Sequence, residues 1–143
     1  MPSITGTFSG RITNQSAMPL TDQPDHQLGI AEVSGTQRSP DPLWDGSKIT
    51  YWGVTDLVGD QGTQRGYYHN AHPDGGREWG TFEGRVAATG GAVIVEGTWA
   101  IAGGDGQYRG STGGGKFKTE MKSETELECS WEGGYELAKA QTG

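Results

Sequence analysis

Strict alternation of polar and apolar residues marks the last part of the chain. Between residues 124 and 137, five glutamates share one set of alternate positions. The positions between them carry Leu127, Cys129, Trp131 and Tyr135. Side chains of a strand point alternately to its two faces, so the pattern predicts one solvated face and one face buried in a core.

The stretch before it repeats the pattern and predicts a hairpin. Lys116 and Lys118 alternate with Phe117 and Thr119. A connection at residues 123–124 would place the two lysines opposite part of the glutamate row, where oppositely charged cross-strand neighbours attract.

Eight stretches in all have the composition of strands and are separated by Gly, Pro, Asn or Asp. No stretch longer than one turn has a helical apolar period, and no internal repeat or linker divides the 143 residues, which predicts one domain over residues 1–143. Eight antiparallel strands favour a small closed barrel, with a two-sheet sandwich as the alternative. The predicted strands are residues 4–13, 26–35, 48–58, 64–71, 77–88, 92–102, 115–122 and 125–137.

Composition supports the all-β assignment. The chain has 26 glycines, without the three-residue period of collagen. Glycine costs a helix interior up to about 1 kcal/mol, so this content argues against a helical fold, whereas tight turns between strands accommodate it.

Charge and cysteine content exclude several classes of protein. The net charge is -7 and the isoelectric point is near 4.8, without a basic cluster, so a nucleic-acid backbone or an anionic membrane is a poor partner. We find no apolar run long enough to span a bilayer and no secretion signal at the start. The single cysteine, Cys129, excludes an internal disulfide. Together these features predict a cytoplasmic protein.

Two longer connections, residues 14–25 and 36–47, hold four of the six prolines and are expected over the barrel ends. The second contains the apolar pair Leu43 and Trp44. Two interpretations stay open for it: a lid that folds into the barrel, or an ordinary surface loop with one anchoring tryptophan.

The chain between residues 62 and 118 resembles the allene oxide cyclase-like barrel families. The resemblance depends on GTQRGY from Gly62, TFEGRV from Thr81, VEGTW from Val95 and, above all, IAGGDGQYRGSTGGGKF from Ile101. Those families often show a similar glycine-rich pattern between two barrel strands.

This resemblance implies an eight-stranded antiparallel barrel with an apolar cavity, often assembled as a homodimer or homotrimer. Relatives cyclise an unsaturated fatty-acid epoxide, and similar barrels guide lignan radical coupling or bacterial cycloadditions. Such proteins act largely by holding a flexible substrate in one folded conformation. Their catalytic residues do not correspond to residues of this sequence, and the first half of the chain is outside the resemblance.

Carboxylates within apolar strands are the best candidates for proton transfer. Glu78, Glu83 and Glu96 each lie among apolar residues, and an apolar environment raises the pKa of a carboxyl group toward neutrality. Glu78 and Glu83 are expected on opposite faces, so only some of the three can point inward. The alternative for each is an ion pair with an arginine on the outer wall.

Histidine supplies a fourth candidate and a weaker metal hypothesis. His69 could act alone in the cavity as an acid or base, since imidazole titrates near neutral pH. His69 and His72 with Asp74 could bind a metal only if the strand ends at Ala71, and we predict no metal and no organic cofactor. The glycine-rich segment at 103–115 leads into a strand and lacks the ending of a phosphate-binding loop, so we interpret its glycines as turn residues.

Aromatic residues on the strands supply the predicted binding pocket. Most must fill the core, because their buried areas are large. Their mixture with few long aliphatic residues favours an aromatic or polyene ligand. The residues predicted to line the pocket are Tyr51, Tyr68, Trp79, Trp131, Tyr135 and, as a small apolar thiol, Cys129.

Three functions are consistent with this pattern. The first is a cofactor-independent cyclase, isomerase or lyase that folds an apolar or aromatic substrate and moves a proton with Glu78, Glu83, Glu96 or His69. The second is a carrier or sensor that binds in the same cavity without turnover. The third is a structural protein whose own side chains fill the barrel.

Overall fold

Eight antiparallel strands form a closed barrel in the computed structural model, which describes residues 3–89 and 92–138. Each strand pairs with the next along the chain, and β8 pairs with β1. The predicted all-β class and eight-stranded antiparallel barrel are therefore confirmed. The strands are β1 (Ser3–Pro19), β2 (His26–Arg38), β3 (Lys48–Val58), β4 (Gln61–Ala71), β5 (Arg77–Thr89), β6 (Ala92–Gly104), β7 (Thr112–Met121) and β8 (Glu126–Glu136).

The first hairpin is longer than the sequence predicts. Much of the predicted connection 14–25 is strand, since β1 continues to Pro19 and β2 begins at His26. A register shift between Ile12 and Asn14 marks where this extension begins. Beyond that point the side chains of β1 are exposed on both faces, so no alternation of polar and apolar residues marks the strand.

The connections on either side of the last hairpin also differ in detail from the prediction. The hairpin of β7 and β8 turns through residues 122–125 and brings Lys116 opposite Glu132, as the charge pattern suggested. The glycine-rich segment contains a short 3-10 helix, Gly106–Tyr108, which the sequence did not predict. This helix presents one large side chain, Tyr108, to the interior, where it is 1% exposed.

The interior differs between the two ends of the barrel. We call the end bearing the connections 39–47, 72–76 and 105–111 the loop end, and the opposite end the hairpin end. Toward the hairpin end, a Cβ added at Gly10 would lie 2.8 Å from Val33 Cγ1 and 2.9 Å from Leu127 Cδ1, so that part is filled. An interior cavity extends from the middle of the barrel toward the loop end.

Candidate functional site

An apolar cavity of about 70 Å³ lies inside the barrel. A buried water needs about 10–15 Å³ by such a measure, so the cavity has the space of a few waters or a small ring compound. Eight aromatic side chains dominate its wall, and five polar or thiol groups interrupt them. The lining residues are Phe8, Gln37, Trp44, Ile49, Tyr51, Gln64, Tyr68, Asn70, Phe82, Trp99, Phe117, Thr119, Cys129 and Trp131.

Trp44 closes this cavity at the loop end. Its side chain folds inward from the connection 39–47 and is 2% exposed, which is the lid-like alternative of the two that the sequence left open. The indole lies with its ring centre 5.3 Å from that of Trp131 and 5.5 Å from that of Tyr135. Tyr135 is buried and donates a hydrogen bond of 2.6 Å from its hydroxyl to Asp41 Oδ2, which fastens the same connection to β8.

Two glycines make room for the largest rings of the site. A Cβ on Gly80 would lie 2.0 Å from the carbonyl oxygen of Ala100 and 2.6 Å from Cε2 of Tyr68. A Cβ on Gly6 would lie 2.2 Å from Cζ2 of Trp131. Any larger residue at either position would displace the backbone or an aromatic ring of the cavity wall.

Glu78 lies fully buried immediately behind that wall. The register places Asn70 of β4 directly opposite it on β5, with both side chains facing inward. The Tyr68 hydroxyl donates a hydrogen bond of 2.8 Å to Glu78 Oε2, and the Asn70 amide donates to Oε1. Tyr68 and Asn70 touch the cavity, so they connect it to the carboxylate.

His72 is the second buried titratable group of the site. It follows the end of β4, and its Nε2 lies 3.4 Å from Glu78 Oε1. Its Nδ1 lies 2.9 Å from the carbonyl oxygen of Leu43 and 3.0 Å from the hydroxyl of Ser47. Tyr108 stacks on the imidazole with a centroid distance of 4.0 Å.

Hydrogen bonds continue from this pair across the barrel. Gln37 donates from its amide to Asn70 Oδ1 at 3.3 Å, and Trp131 donates its indole N–H to Gln37 Oε1 at 2.9 Å. Buried polar groups carry a large penalty when they lack partners, so this chain holds each member in one orientation.

Burial raises the pKa of the protic groups on the cavity wall. For Tyr68 the pKa lies well above its usual value, because of burial first and then the adjacent charge of Glu78. Burial likewise raises the pKa of Tyr51, and it raises the pKa of the Cys129 thiol to about 11. Both tyrosines and the thiol are therefore protonated at neutral pH, as hydrogen-bond donors rather than nucleophiles.

The structure brings together only some of the residues chosen from the sequence. Tyr51, Tyr68, Trp131 and Cys129 line the cavity, and Glu78 lies behind it. Tyr135 is buried in the closure above the cavity rather than in its wall.

The other four chosen residues lie on the outer wall, which corrects the corresponding predictions. Glu83 and Glu96 are exposed, and Trp79 is 39% exposed. His69 pairs with Trp79 across β4 and β5 and shares its outward orientation, whereas its neighbours Tyr68 and Asn70 are buried. Because successive residues of a strand point to opposite faces, none of the four can reach a ligand in the cavity.

Sequence reasoning missed Asn70 and Gln37, considered His72 only as a possible metal ligand beside His69, and left the inward orientation of Trp44 open as one of two alternatives. A weak signal existed for two of them. Asn70 lies two residues after Tyr68 on the same strand, so the two side chains share a face. His72 continues that spacing one residue beyond the strand end. Nothing local distinguished Gln37, since its partners come from distant strands.

No cluster of three or more histidine, cysteine, aspartate or glutamate side chains suited to a metal ion occurs within residues 3–89 and 92–138. His69 and His72 lie on opposite sides of the barrel wall and do not converge on one point. In the same described part of the chain, no helix is long and apolar enough to cross a membrane.

No protein-family model matches the chain, and no curated protein matches it by sequence. Its fold is similar to the solved structures of two pterocarpan synthase dirigent proteins. GePTS1 shares 14% identity at a TM-score of 0.55, over 96% of this chain and 89% of that one. PsPTS1 shares 15% identity at a TM-score of 0.53, over 92% of this chain and 94% of that one. At these identities the likeness concerns the fold alone.

These neighbours refine the resemblance drawn from the sequence. The barrel that the resemblance implied is confirmed. The solved structures to which it is similar are dirigent proteins, a family related to but different from the allene oxide cyclases. The expected barrel is therefore confirmed at the level of fold, and the particular family stays a prediction.

Proposed function

We propose that this chain is a small-molecule barrel that holds an apolar or aromatic ligand in its interior cavity and catalyses a cofactor-independent cyclisation, isomerisation or elimination. One observation carries the proposal: a fully buried carboxylate, Glu78, accepts a hydrogen bond from the hydroxyl of Tyr68, whose ring lines an aromatic cavity. A buried carboxylate is costly, and such groups are concentrated at functional sites.

The proton path follows from these contacts. A proton leaving the ligand passes to Tyr68 Oη while the original hydroxyl proton passes to Glu78 Oε2, and the reverse transfer returns a proton to a different ligand atom. The ligand is thereby isomerised or closed into a ring with no net loss of protons, and in an elimination the returned proton goes to the leaving group, which departs with its bonding electrons and that proton. The Asn70 amide, which donates to Oε1, holds the carboxylate in position throughout.

The aromatic wall supplies the second part of the catalysis. Rings from nearby strands, such as Tyr51 of β3 and Phe82 of β5 at a centroid distance of 5.3 Å, pack edge to face and form part of the apolar wall of the cavity. A flexible ligand confined there loses most of its conformations before reaction, so part of the entropic barrier is removed on binding. Dirigent proteins named for pterocarpan synthesis have the same fold, which supports a substrate-folding function.

A carrier or sensor is the second candidate, and the closure by Trp44 favours it. An indole that is 2% exposed over the cavity slows release of whatever lies beneath it.

We keep a homodimer or homotrimer as a prediction. Large apolar side chains exposed on the outer faces of β2 to β4, including Ile30, Trp52, Val54 and Tyr67, are compatible with such assembly.

Native mass spectrometry of freshly purified protein, followed by denaturing extraction, is the first test. A bound compound identifies the ligand class, and calorimetry with 4-methylphenol and 2-naphthol tests whether the cavity binds a small aromatic compound.

Turnover of the recovered class, and of its structural analogues, is then measured for Glu78→Gln and Tyr68→Phe. Both variants are expected to lose about 10²-fold or more in turnover and to keep ligand affinity within a few-fold.

Glu83→Gln and Glu96→Gln are the matched controls, because they make the same change on the outer wall. Their turnover should equal that of the wild type. Binding without turnover in the wild type would favour the carrier. No bound compound, together with no binding of either probe to the wild type or to Trp44→Ala, would contradict both readings and favour a barrel filled by its own side chains.

A further inference from the structure

The imidazole of His72 has one nitrogen whose state is fixed by its neighbour. The carbonyl oxygen of Leu43, 2.9 Å from Nδ1, can only accept a hydrogen bond. Nδ1 must therefore carry a hydrogen, and the hydroxyl of Ser47 at 3.0 Å shares that donor or accepts beside it. In the neutral ring this leaves Nε2 as the acceptor nitrogen.

The other nitrogen, Nε2, faces the Glu78 carboxylate, and the two groups would repel each other without a proton between them. Nε2 lies 3.4 Å from Glu78 Oε1 and has no other hydrogen-bond partner within the described residues. Both side chains have no exposed surface, and two acceptors 3.4 Å apart repel each other unless a proton lies between them. The His72–Glu78 pair therefore holds one shared proton, and its net charge is zero whichever partner carries it.

The remaining groups around His72 do not offer a second charge in direct contact. Tyr108 of the 3-10 helix stacks on the ring and donates to Asp74 Oδ2 of the connection 72–76 at 3.1 Å. That carboxyl group has a lowered pKa, mainly because it accepts from the backbone N–H of Gly76, and its electrostatic interaction with His72 is the smallest of the causes. From the connection 39–47, Trp44 contacts the ring edge with a centroid distance of 4.9 Å.

Behind Trp44, Tyr135 of β8 and Asp41 form their own hydrogen bond, which does not include the imidazole. The charge nearest to His72 is consequently that of Glu78. The protonation of these two side chains must be treated as one equilibrium.

The same ring also ties down the closure over the cavity. Its Nδ1–H donates to Leu43, the residue before Trp44. Trp44 covers the cavity of about 70 Å³ from the connection 39–47, so a larger ligand that enters at the loop end displaces Trp44, and that movement takes the Leu43 carbonyl away from Nδ1. A protonated imidazole that loses this acceptor is destabilised in the interior, so the shared proton shifts onto Glu78 and the carboxylate loses its capacity to accept another.

We propose that His72 is the positioning residue of this site, which carries the proton shared with Glu78 and couples it to closure of the connection 39–47 over the cavity. The effect of this coupling on turnover rests on the proposed function. When the connection is closed, the proton is held toward His72 and Glu78 can accept from Tyr68. When the connection opens, the shared proton moves to Glu78, and proton transfer from Tyr68 to Glu78 stops.

Nitrogen-15 NMR of the uniformly labelled protein tests the shared proton directly, with no substrate required. His72 should show a protonated Nδ1 from pH 5 to pH 8 and an Nε2 shift intermediate between the protonated and free values. In Glu78→Gln the amide donates to Nε2, so that nitrogen should move to the free value over the whole range. The resonances of His26 and His69 serve as internal controls and should stay unchanged. A hydrogen on Nε2 alone, or identical His72 shifts in Glu78→Gln, would overturn the proposal.

Hydrogen exchange tests the coupling to the closure. His72→Phe keeps an aromatic ring beside Tyr108 but removes both nitrogens, and His69→Phe is the matched change on the outer wall. The amides of Trp44 and Gly46, which donate to Asp41 and Gln37, should exchange at least about 10-fold faster in His72→Phe. Amides in β8 should keep their protection in both variants. Unchanged exchange in the connection would refute the coupling.

The two tests separate this proposal from the proposed function. If the NMR signature is present but no compound is bound or turned over, the shared proton stands and the enzymatic function fails. If turnover depends on Glu78 while His72 shows ordinary, independent titration, the function stands and the role of His72 fails. Should His72→Phe not fold, the NMR comparison of the wild type with Glu78→Gln decides alone.

Discussion

Two histidines at opposite ends of the barrel show how burial changes the meaning of the same contact. At the hairpin end, the ring nitrogens of His26 each lie 2.7 Å from a carboxylate oxygen, one of Asp22 and one of Asp56. At the loop end, His72 faces a single carboxylate, Glu78, and neither side chain has exposed surface.

The difference lies in what each pair can do with a proton. Two carboxylates at the surface favour the imidazolium and raise the pKa of His26, so this group fastens the turn 20–25 to β3. In the interior, a separated charge is costly, and the His72–Glu78 pair is stable only when it is neutral overall. The first arrangement is a surface clamp, whereas the second is the buried pair for which we propose a shared proton.

The largest expected effect follows from removing the buried carboxylate. Glu78→Ala leaves the Tyr68 hydroxyl, the Asn70 amide and His72 without their acceptor, and should lower the free energy of unfolding by about 3–5 kcal/mol. Urea denaturation at pH 7 measures this loss. Glu83→Ala on the outer face of the same strand should change it by no more than about 0.5 kcal/mol. A cost below about 1 kcal/mol for Glu78→Ala would mean that the buried network contributes little to stability.

Removing the closure should have the next largest effect. Trp44→Ala deletes a buried indole that contacts four other aromatic rings, and should cost about 3 kcal/mol, at the low end for a core tryptophan because the connection 39–47 can relax. Trp79→Ala, which removes a tryptophan that is 39% exposed, should cost clearly less. Equal losses would indicate that Trp44 is not part of the packed interior.

The reactivity of Cys129 reports whether the loop end opens in solution. Burial raises the pKa of this thiol from 9.0 to about 11, so its thiolate fraction at pH 8 falls by about 100-fold. Labelling by 5,5′-dithiobis(2-nitrobenzoic acid) should therefore be at least about 100-fold slower in the native protein than in 8 M urea. Trp44→Ala should recover part of that rate. Fast labelling of the native wild type would contradict a closed cavity.

The smallest effect is expected at the surface clamp, and it depends on pH. The folded-state pKa of His26 is raised and that of Asp22 is lowered, relative to 6.5 and 3.8. Stability from the clamp is therefore complete between about pH 4 and pH 6.5 and is lost as pH rises through the raised pKa of His26, or as pH falls through the lowered pKa of Asp22. The difference in urea midpoint between wild type and His26→Gln should follow that profile. A pH-independent difference for His26→Gln would argue against the clamp.

The sequence predicted the strands best where one face of the strand is buried. In β8 the alternation of glutamates with Leu127 and Trp131 located the strand, its inward face and two residues of the core. In the extension of β1 beyond Ile12 both faces are solvated, and the same reasoning gave a loop. Alternation can be read only where burial selects against polar residues on one side.

For the site, the sequence named Glu78, Tyr68 and Tyr51 among its candidates but could not separate them from Glu83, Glu96 and Trp79. All six lie in apolar surroundings along the chain. Which of them points inward depends on the register of each strand with its neighbours, and register in a closed barrel is set by all eight strands together.

The sequence by itself determined an all-β chain, the number of strands, an acidic outer face and a core rich in aromatic rings, because each of these properties follows from local patterning and composition. Only the tertiary structure decided that Glu78 meets Asn70, Tyr68 and His72, and that Trp44 closes the space beside them. Those contacts join residues from separate strands and connections, and the sign of their effect depends on the removal of water, which no local pattern specifies.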